Sequence, residues 1–162
     1  MVWCNRFPVS RFEPLNPSAS IAWPPLPDYG CFLRWPEDGY AFIHPDDQTV
    51  VRRCLPSGRV LQRYRFDGTF YHYRYGRITF RLRPAMWLKI AHEGIDVGDR
   101  IETIGPALQR DHFVARVWGM HYVPRKGRIL YRLRMGGGEQ VPRLYSADEL
   151  RVITEKKRVR QD

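Results

Sequence analysis

One short pattern recurs three times in the chain, as GRVLQRYR from Gly58, GRITFRLR from Gly76 and GRILYRLR from Gly127. Each copy opens on a glycine suited to a turn and continues with arginines alternating against apolar residues. A period of two marks a strand with one buried and one wet side. A helix, with its longer period, would spread the same arginines around its circumference. The pattern therefore predicts a mainly β protein made of small antiparallel units. We expect two such units in tandem, the first carrying one helix.

The turn-forming residues agree. Thirteen glycines and thirteen prolines in 162 residues favour short strands over long helices. A hydrophobic content of 43% is enough for a packed core. Residues 1–29 hold six prolines and are expected to form an extended arm. Residues 30–92 form a first unit, 93–154 a second, and 155–162 a basic tail. Within the first unit, Tyr29–Trp35 and Tyr40–His44 are expected as strands around the turn cluster Pro36-Glu37-Asp38-Gly39. Pro45 suits a first helical position, and Asp46 and Asp47 suit the positive end of a helix dipole, so 45–55 is the expected helix. His44-Pro45-Asp46-Asp47 is thereby read as a helix start and not as a metal cluster.

Charge is unevenly distributed. The chain carries a net charge of +10, and residues 49–83 hold nine arginines against Asp67 alone. If Asp67-Gly68 and Tyr75-Gly76 are two-residue hairpin turns, they fix a register. That register puts Tyr64, Phe66, Tyr71, Tyr73, Ile78, Phe80 and Leu82 on one face. It puts Arg63, Arg65, Phe70, His72, Arg74, Arg77, Thr79, Arg81 and Arg83 on the other. Arg74 would then oppose Arg77, a like-charge pair that costs stability unless an anion covers it. The candidate anion-binding residues are accordingly Arg63, Arg65, Phe70, His72, Arg74, Arg77, Arg81 and Arg83, with the arginines forking onto phosphates and Phe70 stacking a base.

Other chemistries find no footing in the sequence. Cys4, Cys31 and Cys54 lack metal-ligand spacing and read as reduced thiols, which points to the cytoplasm. The chain shows no signal-peptide pattern and no long apolar run, so no membrane association is expected. A nucleophile elbow, a phosphate loop and a dinucleotide fingerprint are missing, and no paired carboxylates stand out. No enzyme activity, cofactor, metal or small-molecule substrate is expected.

The order of elements in 94–154 resembles the SH3-like small barrel of the KOW and Tudor families. The resemblance is carried by Val97-Gly98-Asp99-Arg100-Ile101, by the hairpin within Phe113–Arg134, and by the closing run Tyr145–Ile153. It implies a short helical turn at Ser146–Leu150 before the last strand, and it makes 30–92 a divergent second copy. Members of these families bind nucleic acid, peptides or a neighbouring subunit. Two functions are therefore expected in contention. One is a noncatalytic protein that binds nucleic acid or another polyanion through the arginine face. The other is an accessory subunit, or a homodimer, that docks through its barrels and its N-terminal arm.

Overall fold

The structure, a computed structural model, describes residues 25–105 and 112–154. Most of the proline-rich arm and all of the basic tail lie outside the described residues. The first half contains β1 (Asp28–Phe32), α1 (Gln48–Cys54), β2 (Ser57–Phe66), β3 (Tyr71–Tyr75), β4 (Ile78–Leu82) and β5 (Leu88–Ile90). The second half contains β6 (Arg100–Thr103), β7 (Val114–Val123), β8 (Arg128–Arg134), β9 (Gln140–Tyr145) and β10 (Leu150–Val152).

The ten strands join into one open antiparallel sheet. Within it, the halves share one topology. The first runs β5-β1-β2-β3-β4 and the second β10-β6-β7-β8-β9, so in each half the fifth strand pairs with the first. Their long second strands, β2 and β7, meet at Arg59 and His121. The expected helical turn before the last strand is present as a single 3-10 turn at Ala147–Glu149, with the Ser146 amide donating to the Glu149 carboxylate at 3.0 Å.

Each half has its own core. Phe32, Ile43, Val51, Leu61, Tyr73, Phe80 and Leu82 pack together in the first. Ile101, Val117, Met120, Ile129, Tyr131 and Leu133 pack in the second. The strand β2 divides them. Side chains of successive strand residues point to opposite faces, so Leu61 enters the first core while its neighbour Val60 enters the second. Tyr29 also joins the second core, and its hydroxyl donates to Asp96 at 3.1 Å. The alternation read from sequence is thus interrupted where β2 is buried on both sides.

Several expectations change in detail. The expected strand over Tyr40–His44 is instead a 3-10 turn at Gly39–Phe42, held by amides bonding back to Pro36 and Asp38 carbonyls at 3.0 Å each. Only Ile43 reaches the core, bridging to Leu82. The helix begins with a 3-10 turn at Pro45–Asp47, and Val50 within the helix is exposed. Asp28, expected in the arm, belongs to β1, and the strand expected over Tyr29–Trp35 ends at Phe32.

Neither hairpin turn sits where the dipeptides placed it. Phe66 pairs with Tyr71, which makes a four-residue loop of 67–70. The Asp67 carboxylate accepts from the amides of Thr69 at 3.0 Å and Phe70 at 2.8 Å and so stabilises the longer loop. Tyr75 pairs with Ile78, so the second turn is Gly76-Arg77, and Gly76 takes φ +58°. Arg74 therefore opposes Thr79 and not Arg77.

A candidate anion-binding cleft

The expected arginine face is partly dismantled by one bulge. Between Arg63 and Arg65 the pairing of β2 with β3 shifts, and Tyr64 is the extra residue. A shift of one residue exchanges the two faces of a strand. Tyr64 consequently turns outward, and Arg63 turns into the first core beside Tyr73. There Arg63 is 7% exposed and forks onto Asp28, itself 5% exposed, through contacts of 2.8 and 2.7 Å. Its guanidinium also lies 4.3 Å from the Tyr71 ring centroid and 5.1 Å from that of Trp87. Arg63 is therefore a structural residue in this fold, a correction to its placement on the open face.

The other predicted residues divide into groups. Arg65, His72 and Arg81 form a row across three strands. The chain's own acids neutralise much of it: Asp67 meets His72 at 2.9 Å, and Asp47 meets Arg81 at 2.8 Å. Arg83 lies over the Phe70 ring at 5.6 Å, and that ring also contacts His44. Arg74 donates to Gln62 and lies near the Tyr64 ring. Arg77 leaves this group and faces elsewhere, into the junction of the two halves.

That junction holds a cleft of about 970 Å³. Six segments build it. The end of α1 supplies Arg53, the start of β2 supplies Arg59, and the β3–β4 turn supplies Arg77. Arg116, Trp118 and His121 come from β7, and Arg132 and Arg134 from β8. Its lining includes Ile78, Val97, Met120 and Met135, and no aspartate or glutamate among the described residues. Elsewhere among the described residues, Arg63, Arg81, Arg143 and Arg151 are ion-paired. The cleft arginines have no carboxylate partner among the described residues. Arg59 donates to the Arg53 carbonyl at 3.0 Å, and Arg116 to the Gly98 carbonyl at 3.1 Å. Such neutral acceptors leave the positive charge in place.

A second like-charge row runs along one side of the cleft. Arg100 lies opposite Arg116, and Arg116 lies opposite Arg134. Directly opposed like charges destabilise a sheet. In the first half Arg81 meets Asp46 and Asp47, whereas Arg116 and Arg134 meet no acid among the described residues. The field of Arg116 and Arg134 is available to an external anion.

Two further groups tie the cleft to the junction. The Tyr75 hydroxyl accepts from the Met120 amide at 3.1 Å, joining the first half to β7, and burial raises its pKa. His121 has its pKa lowered, first by burial and then by the charges of Arg132 and Arg59. An anion seated among those arginines would offset their repulsion and favour protonation of the ring.

Sequence reasoning found Arg77 and missed Arg53, Arg59, Arg116, Trp118, His121, Arg132 and Arg134. A signal for part of this set was present. Arg116 and Trp118 are two apart on a strand, and Arg132 and Arg134 are two apart in the third copy of the repeated pattern. What was lacking was the register that sets those strands side by side.

The fold and cleft define a mainly β protein with a concave cationic junction between two topologically matched halves. Residues 24–151 match the family of unknown function DUF6960, and the chain belongs to that family. No curated protein and no solved structure matches it. Among the described residues, no helix is long and apolar enough to cross a membrane, and no three His, Cys, Asp or Glu side chains gather as a metal site.

Proposed function

We propose that this is a noncatalytic binding protein for nucleic acid and that the junction cleft, not the outer sheet of the first half, is its site. One observation carries the reading: Arg116 and Arg134 are opposed across adjacent strands, with Arg77 and Arg132 lining the same cleft and no acid in its walls among the described residues. Guanidinium groups fork onto phosphate oxygens, and neutralising several phosphates releases their condensed counterions. The same reading takes the halves as two SH3-like small units in tandem. It is supported by their shared strand order and by the helical turn that precedes β10. The helix α1 would then be an insertion between the first and second strands of the first unit.

The test is a gel-shift or anisotropy titration with a mixed-sequence oligonucleotide. Arg77→Glu with Arg132→Glu should abolish binding, while Arg65→Glu with Arg83→Glu should leave most of it. All four residues are exposed, so the fold should survive both double changes. The opposite ranking would restore the outer face as the site. Equal, undiminished binding by both variants would remove the cleft from consideration, and a tight complex with an acidic protein instead would favour the accessory-subunit reading.

A further inference from the structure

Trp118 has a placement that phosphate binding alone does not explain. The pairing of β7 with β8 runs Val117 to Leu133 and then Gly119 to Arg132, so Trp118 is the extra residue of a bulge. Bulges re-aim a side chain and bend the strand that carries them. Here Val117 and Met120, on either side, are buried at 1% exposure each, while the half-buried Trp118 lines the cleft. The guanidinium carbons of Arg134 and Arg132 lie 5.0 and 5.8 Å from its ring centroid. Two cations therefore steady the indole and stand next to it.

We infer that the cleft takes a single-stranded segment, with one base stacked against Trp118 and its phosphates held by the neighbouring arginines. This rests on the nucleic-acid reading above and adds the class of ligand. A duplex keeps its bases stacked inside and offers a protein mainly phosphate oxygens and groove edges. Neither uses an aromatic and apolar floor of the kind formed by Trp118, Ile78 and Val97. An unpaired base presents two apolar faces, and a cationic groove with an aromatic platform serves both parts of such a strand. Ile78, at 43% exposure, is accessible to a base laid in the cleft.

The experiment compares three fluorescent probes: a single-stranded oligothymidylate, an abasic phosphodiester of equal length, and a duplex of equal charge. Wild-type protein, Trp118→Ala and Trp118→Phe are titrated with each, and folding is checked by circular dichroism. The wild type should bind the oligothymidylate most tightly. Trp118→Ala should weaken that complex by about 5- to 150-fold, the range for loss of one stacked base, and leave the abasic complex nearly unchanged. Trp118→Phe should keep most of the preference. If the wild type binds the abasic probe as tightly as the oligothymidylate, or prefers the duplex, stacking is overturned while the cationic cleft stands. If it binds no probe at low salt, both readings fall together. The wild-type comparison across probes decides the matter even if Trp118→Ala does not fold.

Discussion

Removing the Asp28 carboxylate should damage the protein more than removing any of its exposed arginines. Asp28→Ala deletes both acceptors of the Arg63 fork, at 2.8 and 2.7 Å, and leaves a guanidinium at 7% exposure without a counter-charge. Breaking one side of a buried pair costs about 3–5 kcal/mol, because the remaining charge is stranded away from water. The rings of Tyr71 and Trp87 do not make good that loss, since both cation–π contacts already exist in the parent. For a chain of this size each kcal/mol shifts the midpoint by about 2–4 °C, so thermal melting should fall by about 6–20 °C. Melting followed by circular dichroism, with urea titration as a second measure, reads the effect. Arg65→Ala, at an exposed position two residues away, should change stability by about 0.5 kcal/mol or less. Replacing both partners together, Asp28→Leu with Arg63→Met, should cost much less than Asp28→Ala alone. Equal small losses from Asp28→Ala and Arg65→Ala would show that Arg63 is solvated, and the bulge at Tyr64 would then be wrongly placed.

Three other outcomes follow from the junction. Gly58→Ala should destabilise by about 1–3 kcal/mol, as overpacking does, since its new Cβ would sit 2.7 Å from the Tyr122 carbonyl oxygen and 3.0 Å from the His121 ring; a urea midpoint equal to the parent's would refute the close approach. Tyr75→Phe should cost about 1–3 kcal/mol by leaving the Met120 amide without its acceptor, detectable as faster hydrogen exchange at Met120. His121 titrates below its ordinary value in the folded chain, so the unfolded chain holds more protons between the two pKa values. Stability therefore rises with pH through that window and is fully present above about 6.5. Oligonucleotide affinity should move the other way, tightening as pH falls through the titration of His121, because a bound anion favours the imidazolium. His121→Gln should flatten both profiles.

The second half was the more legible in the sequence. In β8, Ile129, Tyr131 and Leu133 are buried and Arg128, Arg132 and Arg134 are exposed, a one-sided alternation that local pattern alone specifies. The first half was less so, for reasons that act at a distance. Asp28 draws Arg63 inward from another strand, and the bulge that accommodates it exchanges the faces of β2. Val60 and Leu61 are both buried because a second core lies behind the first, which no window on β2 could show. The repeated pattern also follows turn chemistry and not the internal symmetry. Its copies fall on β2, β4 and β8, which are the second and fourth strands of one half and the third of the other. Gly76 and Gly127 in two copies open strands at φ +58° and +61°, whereas Gly58 has no positive φ and is small because Tyr122 is close. The cleft stayed hidden because its arginines come from separate segments and become neighbours only once β7 and β8 are paired.

The most direct test of the cleft is the salt dependence of oligonucleotide binding by the parent protein and by Arg116→Gln with Arg134→Gln. The slope of log affinity against log salt reports the phosphates neutralised, at about 0.7 per phosphate for single strands. Loss of these two arginines should make the slope shallower by about 1.4 and weaken binding at low salt, while Arg65→Gln with Arg83→Gln should leave the slope unchanged. A slope untouched by the cleft substitutions, or lowered only by those on the outer face, would contradict the account.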